Sequence, residues 1–183
     1  FQELAMRLMK LNYKVILFDF SGHGDSEGND YDVTLSKSTS ELNSILEKFI
    51  SRDDVVNFLV FSYGAAVLAN YLKNNNELKV NKIVMYSPCL FPLESCFLNR
   101  NSLFGKDIVK AYEEGILLEQ GYATVGAKNF KFSNKMIDDC KNLNAKLKFV
   151  IQIIAALIVI YGGNVKITVF TNPNILSPDP YLV

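Results

Sequence analysis

The sequence is poor in histidine and cysteine, the residues that most often bind zinc or form disulfide frameworks. It contains one histidine, His23, and three cysteines, Cys89, Cys96 and Cys140. The cysteines show no metal-ligand spacing, and an odd, sparse set is not typical of a secreted disulfide-rich domain. We therefore expect no metal and no cofactor, and we predict a reduced, cytoplasmic setting.

Neither sign of charge is in excess. The 183 residues include 19 Lys and Arg and 19 Asp and Glu, which gives a formal net charge of +0. The lack of a basic surplus argues against nucleic acid as a partner, and no acidic tail indicates a disordered segment. Hydrophobic residues make up 49% of the sequence, which is enough for one globular domain with a core.

No apolar run is long enough to cross a bilayer. The nearest one, residues 149–161, is interrupted by Gln152 and falls short of the roughly 18–20 apolar residues that a span needs. A buried helix–turn–strand pair explains it better, so we predict no transmembrane span. The first eleven residues are amphipathic and have no signal-cleavage pattern, and because they begin with Phe1 we expect the start to be internal.

Helical and strand periodicities alternate through the first half of the sequence. Helices are predicted up to Asn12 and at residues 35–50 and 63–72, and strands are predicted at residues 13–20, 57–61 and 80–88. This order predicts an α/β fold with a mostly parallel sheet and helices on both faces. In such sheets ligands bind beyond the carboxyl ends of the strands, where Asp19, Ser62 and Ser87 lie.

The alternation stops after residue 88. Residues 89–144 scatter aromatic side chains among glycines and charges, which predicts a cap or lid insertion, although an irregular surface segment explains them almost as well. Residues 157–163 and 165–170 are then predicted to resume the sheet. The predicted organisation is therefore an N-terminal part of the core at 1–88, a cap at 89–144 and a C-terminal part of the core at 145–183.

Ser62 is the most informative single residue. A short apolar run precedes it, and small and aliphatic residues follow it, which predicts an abrupt strand-to-helix turn. Such a turn lifts the serine hydroxyl above the sheet edge, as in a nucleophile elbow. The alternative is that Ser62 is only a small residue in a tight turn before a helix.

Two motifs in this order resemble the α/β-hydrolase superfamily, in particular its small esterase, lipase and serine peptidase-like members. Residues 19–26 (DFSGHGDS) resemble the D-x-x-G-x-G-x-S loop, and residues 60–64 (VFSYG) are similar to the G-x-S-x-G elbow one helix later. A strand ending in Ser-Pro, an inserted cap and a strand ending in Gly-Gly continue the similarity over most of the chain. The resemblance implies a serine hydrolase acting on a carboxylic ester or related acyl bond.

The resemblance also implies roles for individual residues. Ser62 would be the nucleophile, and the backbone N–H of Tyr63 would form half of the oxyanion hole. His23 would be a structural residue of its loop, and Asp19 would hold loop amides rather than act as a triad acid. The aromatic cap would line a pocket for a small apolar acyl or aryl ester.

Three further aspartates are interpreted without a catalytic role. Asp138 and Asp139 are predicted to be solvated cap or helix positions, and Asp179, which lies between two prolines, is predicted to be a turn residue.

The sequence departs from the family pattern at several positions. Val60 replaces the first elbow glycine, and its Cβ is expected to crowd the turn. Residues 164–166 (NVK) stand where the acid is usual, and residues 171–177 (TNPNILS) contain no histidine where the base is usual. Because the sequence begins at what resembles the helix after the oxyanion-hole strand, we also expect that loop to be absent. Without a base and an acid, we expect the chain as given to be inactive.

These departures leave three hypotheses open: a shortened or divergent serine hydrolase, a non-catalytic α/β-hydrolase-like binding module, and a truncated, inactive gene product. If strands and helices of the fold are missing, unpaired strand backbone and uncovered apolar faces predict self-association.

Overall fold

The computed structural model describes residues 1–75, 77–92, 97–127 and 129–141. All of them lie within one unit, Phe1–Asn144. The predicted C-terminal part of the core at 145–183 falls outside the described residues. The same holds for the two strands predicted there, for the expected acid and histidine positions, and for Asp179.

Helices account for most of the regular structure in these residues. The α-helices are α1 (Gln2–Lys10), α2 (Leu35–Phe49), α3 (Gly64–Asn74), α4 (Gly105–Glu113), α5 (Ile116–Gln120) and α6 (Asn134–Lys141), and a 3₁₀ helix spans Asp30–Asp32. The strands are β1 (Val56–Phe61), β2 (Val80–Tyr86), β3 (Tyr122–Val125) and β4 (Phe130–Ser133). The α/β class predicted from the sequence is confirmed.

Strands β1 and β2 form a parallel pair that α3 connects. Both are rich in β-branched and aromatic residues, which fit a pleated surface. Their register places Phe61, the last residue of β1, opposite Tyr86, the last residue of β2. The two strands therefore end at the same edge, and the predicted strand–helix–strand order around Ser62 is confirmed. Strands β3 and β4 form a separate antiparallel hairpin.

The strand predicted at residues 13–20 is not formed. These residues have no regular secondary structure, and none of the described strands pairs with them. An apolar run predicts burial, but a strand also requires a neighbour for its backbone N–H and C=O groups. The burial is partly achieved, because Phe18 and Phe20 pack against the hydrophobic core.

One hydrophobic core joins α2, α3 and the segment after residue 97. Leu42 of α2 and Leu68 of α3 belong to the same buried cluster as Ile108, Leu117 and Phe132. The residues that the sequence assigns to a cap therefore share the core of the strand–helix region. That residues 89–144 act as a cap remains a prediction.

Two of the aromatic side chains predicted to line a substrate pocket lie inside this core. The rings of Phe97 and Phe132 contact each other, with centroids 4.2 Å apart, and both residues are buried. These two rings therefore stabilise the core and do not face an open pocket.

The first turn of α2 is held by two side chains. Thr34 is the N-cap and accepts a hydrogen bond from the Lys37 backbone N–H at 3.2 Å. The backbone N–H and the hydroxyl of Ser36 both donate to the Asp139 carboxylate at 2.6 Å. Asp139 thus links α6 to α2, a role that the sequence analysis missed, whereas Asp138 is exposed and pairs with Lys141 at 2.9 Å.

The face of the β1–β2 pair that does not pack against the core is largely exposed, although it carries apolar side chains. The exposed fractions are 43% for Leu59, 47% for Phe61, 55% for Val84 and 68% for Tyr86. The ring of Phe1, at the start of α1, lies 6.1 Å from that of Phe61, but α1 contains no buried residue.

Within the described residues, no helix combines the length and apolar character that a membrane span requires.

Candidate active site

Ser62 occupies the turn between β1 and α3 and has an unusual backbone conformation. Its φ is 47°, in the left-handed region that residues other than glycine seldom adopt. Such strain persists only where the surrounding structure enforces it, and it is concentrated at functional sites. The geometry is the one expected of a serine at the tip of a sharp strand-to-helix turn.

Both backbone polar groups of Ser62 are hydrogen-bonded. Its N–H donates to the Tyr86 carbonyl at 3.2 Å, at the end of β2. Its carbonyl accepts from the N–H of Ala65 at 3.1 Å and from the N–H of Cys89 at 3.0 Å. These bonds fix the turn between the start of α3 and the chain that leaves β2. The Ser62 hydroxyl itself makes no hydrogen bond within the part of the chain that is described.

Val60 does not crowd the elbow, contrary to the expectation from the sequence. A Cβ placed on Gly64 would lie 3.9 Å from the Val60 Cβ, which is an ordinary van der Waals contact. The Val60 side chain packs against the core. The turn therefore has room for valine at the first motif position.

Tyr63 presents its backbone to the turn and its ring to the interior. Within the described residues its N–H donates no hydrogen bond, as is usual for amides at the start of a helix. Its hydroxyl lies 3.5 Å from the Ser38 Oγ on α2 and 3.9 Å from the Met136 Sδ on α6. Burial raises the pKa of the Tyr63 hydroxyl, so this side chain stays neutral and anchors the elbow.

The D-x-x-G-x-G-x-S loop closes on itself through Asp19. The Asp19 carboxylate accepts from the Asp25 N–H at 3.2 Å, and the Asp19 carbonyl accepts from the Ser26 hydroxyl at 2.7 Å. Gly24 has φ +52°, and a Cβ on it would lie 2.1 Å from the Asp19 Oδ2. Asp19 therefore holds a loop amide, in agreement with its interpretation from the sequence.

His23 is engaged within the same loop. Its Nδ1 lies 3.3 Å from the Ser21 carbonyl oxygen, and its ring lies 5.4 Å from that of Phe130 on β4. None of the hydrogen bonds among the described residues joins His23 to Ser62. Since His23 is the only histidine in the sequence, no imidazole is hydrogen-bonded to Ser62 within the described residues.

An open depression near the start of the chain and the acidic side chains also bear on the chemistry of the described residues. An open depression of about 410 Å³ is lined by Phe1, Gln2, Leu17, Phe18 and Asp19, and Ser62 does not line it. Among the residues described, no group of three or more His, Cys, Asp or Glu side chains could hold a metal ion.

Sequence reasoning missed the contribution of the chain that follows β2. Ser87 has φ 45°, and the N–H of Cys89 reaches the Ser62 carbonyl. The signal in the sequence was the Ser-Pro pair at the end of a predicted strand. Which residue of β1 this pair faces depends on the register between β1 and β2, which the sequence pattern does not give.

The family described as "Serine aminopeptidase, S33" matches residues 1–126, which is more than half of the chain. A crystal structure at 1.80 Å of the "Putative hydrolase from Agrobacterium vitis S4" aligns with a TM-score of 0.53 and 20% identity. The alignment covers 67% of this chain and 47% of that protein, so the chain spans about half of its length. A search of curated proteins found no match.

Proposed function

The chain belongs to the serine aminopeptidase S33 family of the α/β-hydrolase superfamily, and from this premise we propose that it is a serine hydrolase with Ser62 as the nucleophile. The proposed substrate is a carboxylic ester or a related acyl bond with a small apolar acyl or aryl group. A cap formed by residues 89–144 would supply the pocket, and the sparse cysteines favour a cytoplasmic location.

The observation that carries the proposal is the backbone of the elbow. Ser62 combines a left-handed φ of 47° with hydrogen bonds to both neighbouring elements. The Tyr63 N–H follows directly and is not engaged among the described residues. Attack of the Ser62 Oγ on a carbonyl carbon would place negative charge on the carbonyl oxygen, and the Tyr63 N–H would donate to it.

The remaining parts of the mechanism are not assigned to residues. A base must remove the Ser62 proton and return it to the leaving group, and an acid must orient that base. His23 contacts its own loop, which supports a structural role for this residue. The proposal thus gives this chain the nucleophile and one oxyanion donor.

The position of His23 also favours a second candidate, a non-catalytic α/β-hydrolase-like module that keeps the scaffold for binding. Loss of the base from a serine triad removes several orders of magnitude of activity. A protein with the elbow alone would bind a ligand at the sheet edge without turning it over. A third alternative is a truncated gene product that neither catalyses a reaction nor binds a ligand.

A fluorophosphonate probe separates the two candidates. The folded chain, the Ser62→Ala variant and the Ser44→Ala variant would be labelled in parallel, with circular dichroism to verify folding. Ser44 is the matched control, because it is an exposed serine on α2. The hydrolase proposal predicts labelling of the wild type and of Ser44→Ala and none of Ser62→Ala. A folded wild type that is not labelled would contradict the hydrolase and favour the binding module.

A further inference from the structure

Ser87 lies beside Ser62 and has nearly the same backbone conformation. Phe61 and Tyr86 are paired across the parallel strands, so Ser62 and Ser87 are the next residues in register. Their φ values are 47° and 45°, and both lie in the left-handed region. Two adjacent strands therefore end in strained serines at the same edge of the sheet.

The hydrogen bonds around these serines show why the second one is strained. In a regular parallel ladder, a residue donates to the residue before its partner and accepts from the residue after its partner. Ser62 does donate to Tyr86, the residue before Ser87. The residue after Ser87 is Pro88, which has no N–H to donate.

The chain substitutes the next amide for the one that proline lacks. The Cys89 N–H donates to the Ser62 carbonyl at 3.0 Å, one residue later than a regular ladder would require. The extra residue is accommodated where Ser87 takes its positive φ, as in a β-bulge. Cys89 is buried, so loss of the Ser62 carbonyl as the acceptor for its N–H would destabilise the folded chain.

We propose that Ser87 is a positioning residue that holds the turn of Ser62, through the bond from Cys89 to the Ser62 carbonyl. This inference rests on the proposed function in taking Ser62 as the nucleophile. The Ser87 backbone, rather than its hydroxyl, is the essential feature. Glycine should therefore replace Ser87 without loss, whereas a β-branched residue should not.

The test uses Ser87→Gly and Ser87→Val in the full chain. Ser87→Thr serves as a milder second variant in case valine prevents folding, because threonine is also β-branched. Asn129→Val is the matched control, since Asn129 has φ 54° in the β3–β4 turn and its replacement carries a similar backbone cost elsewhere. Amide hydrogen exchange of Cys89 is measured by NMR, with the Val67 amide of α3 as an internal reference, and fluorophosphonate labelling of Ser62 is measured in parallel.

We expect Ser87→Val to accelerate exchange of the Cys89 amide about tenfold relative to that of Val67. Ser87→Gly and Asn129→Val should leave the exchange rate of Cys89 relative to Val67 unchanged, and Ser62 labelling should slow only in the β-branched Ser87 variants. An unchanged Cys89 exchange rate relative to Val67 in the valine and threonine variants, or a change in the glycine variant, would overturn the proposal. Faster exchange with unaltered labelling would also overturn it, because Ser87 would then be structural only. If no variant or wild type is labelled, the nucleophile assignment fails, while the exchange ratios still decide whether Ser87 holds the turn.

Discussion

The two faces of the β1–β2 sheet differ sharply in how they are covered. On one face α3 packs with α2, and Ala65, Ala66, Val67 and Leu68 are all at most 2% exposed. On the other face Leu59, Phe61, Val84 and Tyr86 are between 43% and 68% exposed. The same two strands therefore contribute to a close-packed core on one side and to an apolar surface on the other.

This difference shows which side of the molecule supports the candidate site. Parallel sheets are usually covered on both faces, so one exposed face is unusual. The elbow is nevertheless anchored on the covered side, because the Tyr63 hydroxyl contacts Ser38 of α2 and Met136 of α6. We infer that the geometry of Ser62 depends on the covered face and little on the exposed one.

The largest effect is expected from removing a side chain on the covered face. Leu68→Ala deletes a side chain that is 1% exposed and should lower the free energy of unfolding by about 2–5 kcal/mol, because it leaves a cavity. Leu59→Ala makes the same chemical change on the exposed face and should cost below about 1 kcal/mol. Urea denaturation followed by circular dichroism measures both. Equal losses of unfolding free energy in the two variants would contradict the inference that the covered face contributes more to stability than the exposed one.

A smaller effect is expected in the loop that precedes α2. Gly24→Ala forces a Cβ against the Asp19 carboxylate and a left-handed φ, and should cost about 2–3 kcal/mol of unfolding free energy. Gly115→Ala is the control, since Gly115 also has a positive φ but has nothing within 4 Å of an added Cβ. It should cost only about 1–2 kcal/mol. Chemical denaturation gives both values, and no difference between them would argue against the Asp19 contact as the reason for glycine.

The smallest effect on stability is expected on the exposed face. Leu59→Thr combined with Val84→Thr keeps strand propensity while it reduces the apolar surface, and should change the unfolding free energy by about 1 kcal/mol or less. If the exposed apolar face drives association, the same variant should lower the mean mass measured by light scattering. A large loss of stability would show that this face is covered in solution, and an unchanged mass would remove the face as a cause of association.

Local patterns in the sequence were sufficient for the elbow and for the loop before α2. The apolar run before Ser62 and the small residues after it predicted β1 and α3, and the glycines of residues 19–26 predicted a loop that Asp19 closes. Both predictions use residues close in sequence, whose pattern indicates a turn or a loop without specifying the contacts that hold it. The strand predicted at residues 13–20 failed because pairing depends on a neighbour that the run itself does not specify.

Contacts between distant residues were not predictable in the same way. Asp139 caps α2 across more than a hundred residues, and nothing in its surroundings along the sequence distinguishes it from Asp138. Phe97 and Phe132 were expected at a pocket but lie in the core, because aromatic composition does not say which side of a segment packs inward.

The sequence by itself determined the α/β alternation, the family resemblance and the position of the candidate nucleophile, because periodicity and turn residues act over a few neighbouring positions. Only the tertiary structure decided how Ser62 is held. The pairing of Phe61 with Tyr86 brings Pro88 opposite the Ser62 carbonyl, and the missing proline amide is replaced by that of Cys89. The physical reason is that a hydrogen bond between strands depends on their register, and the register is set by the packing of both strands on one core.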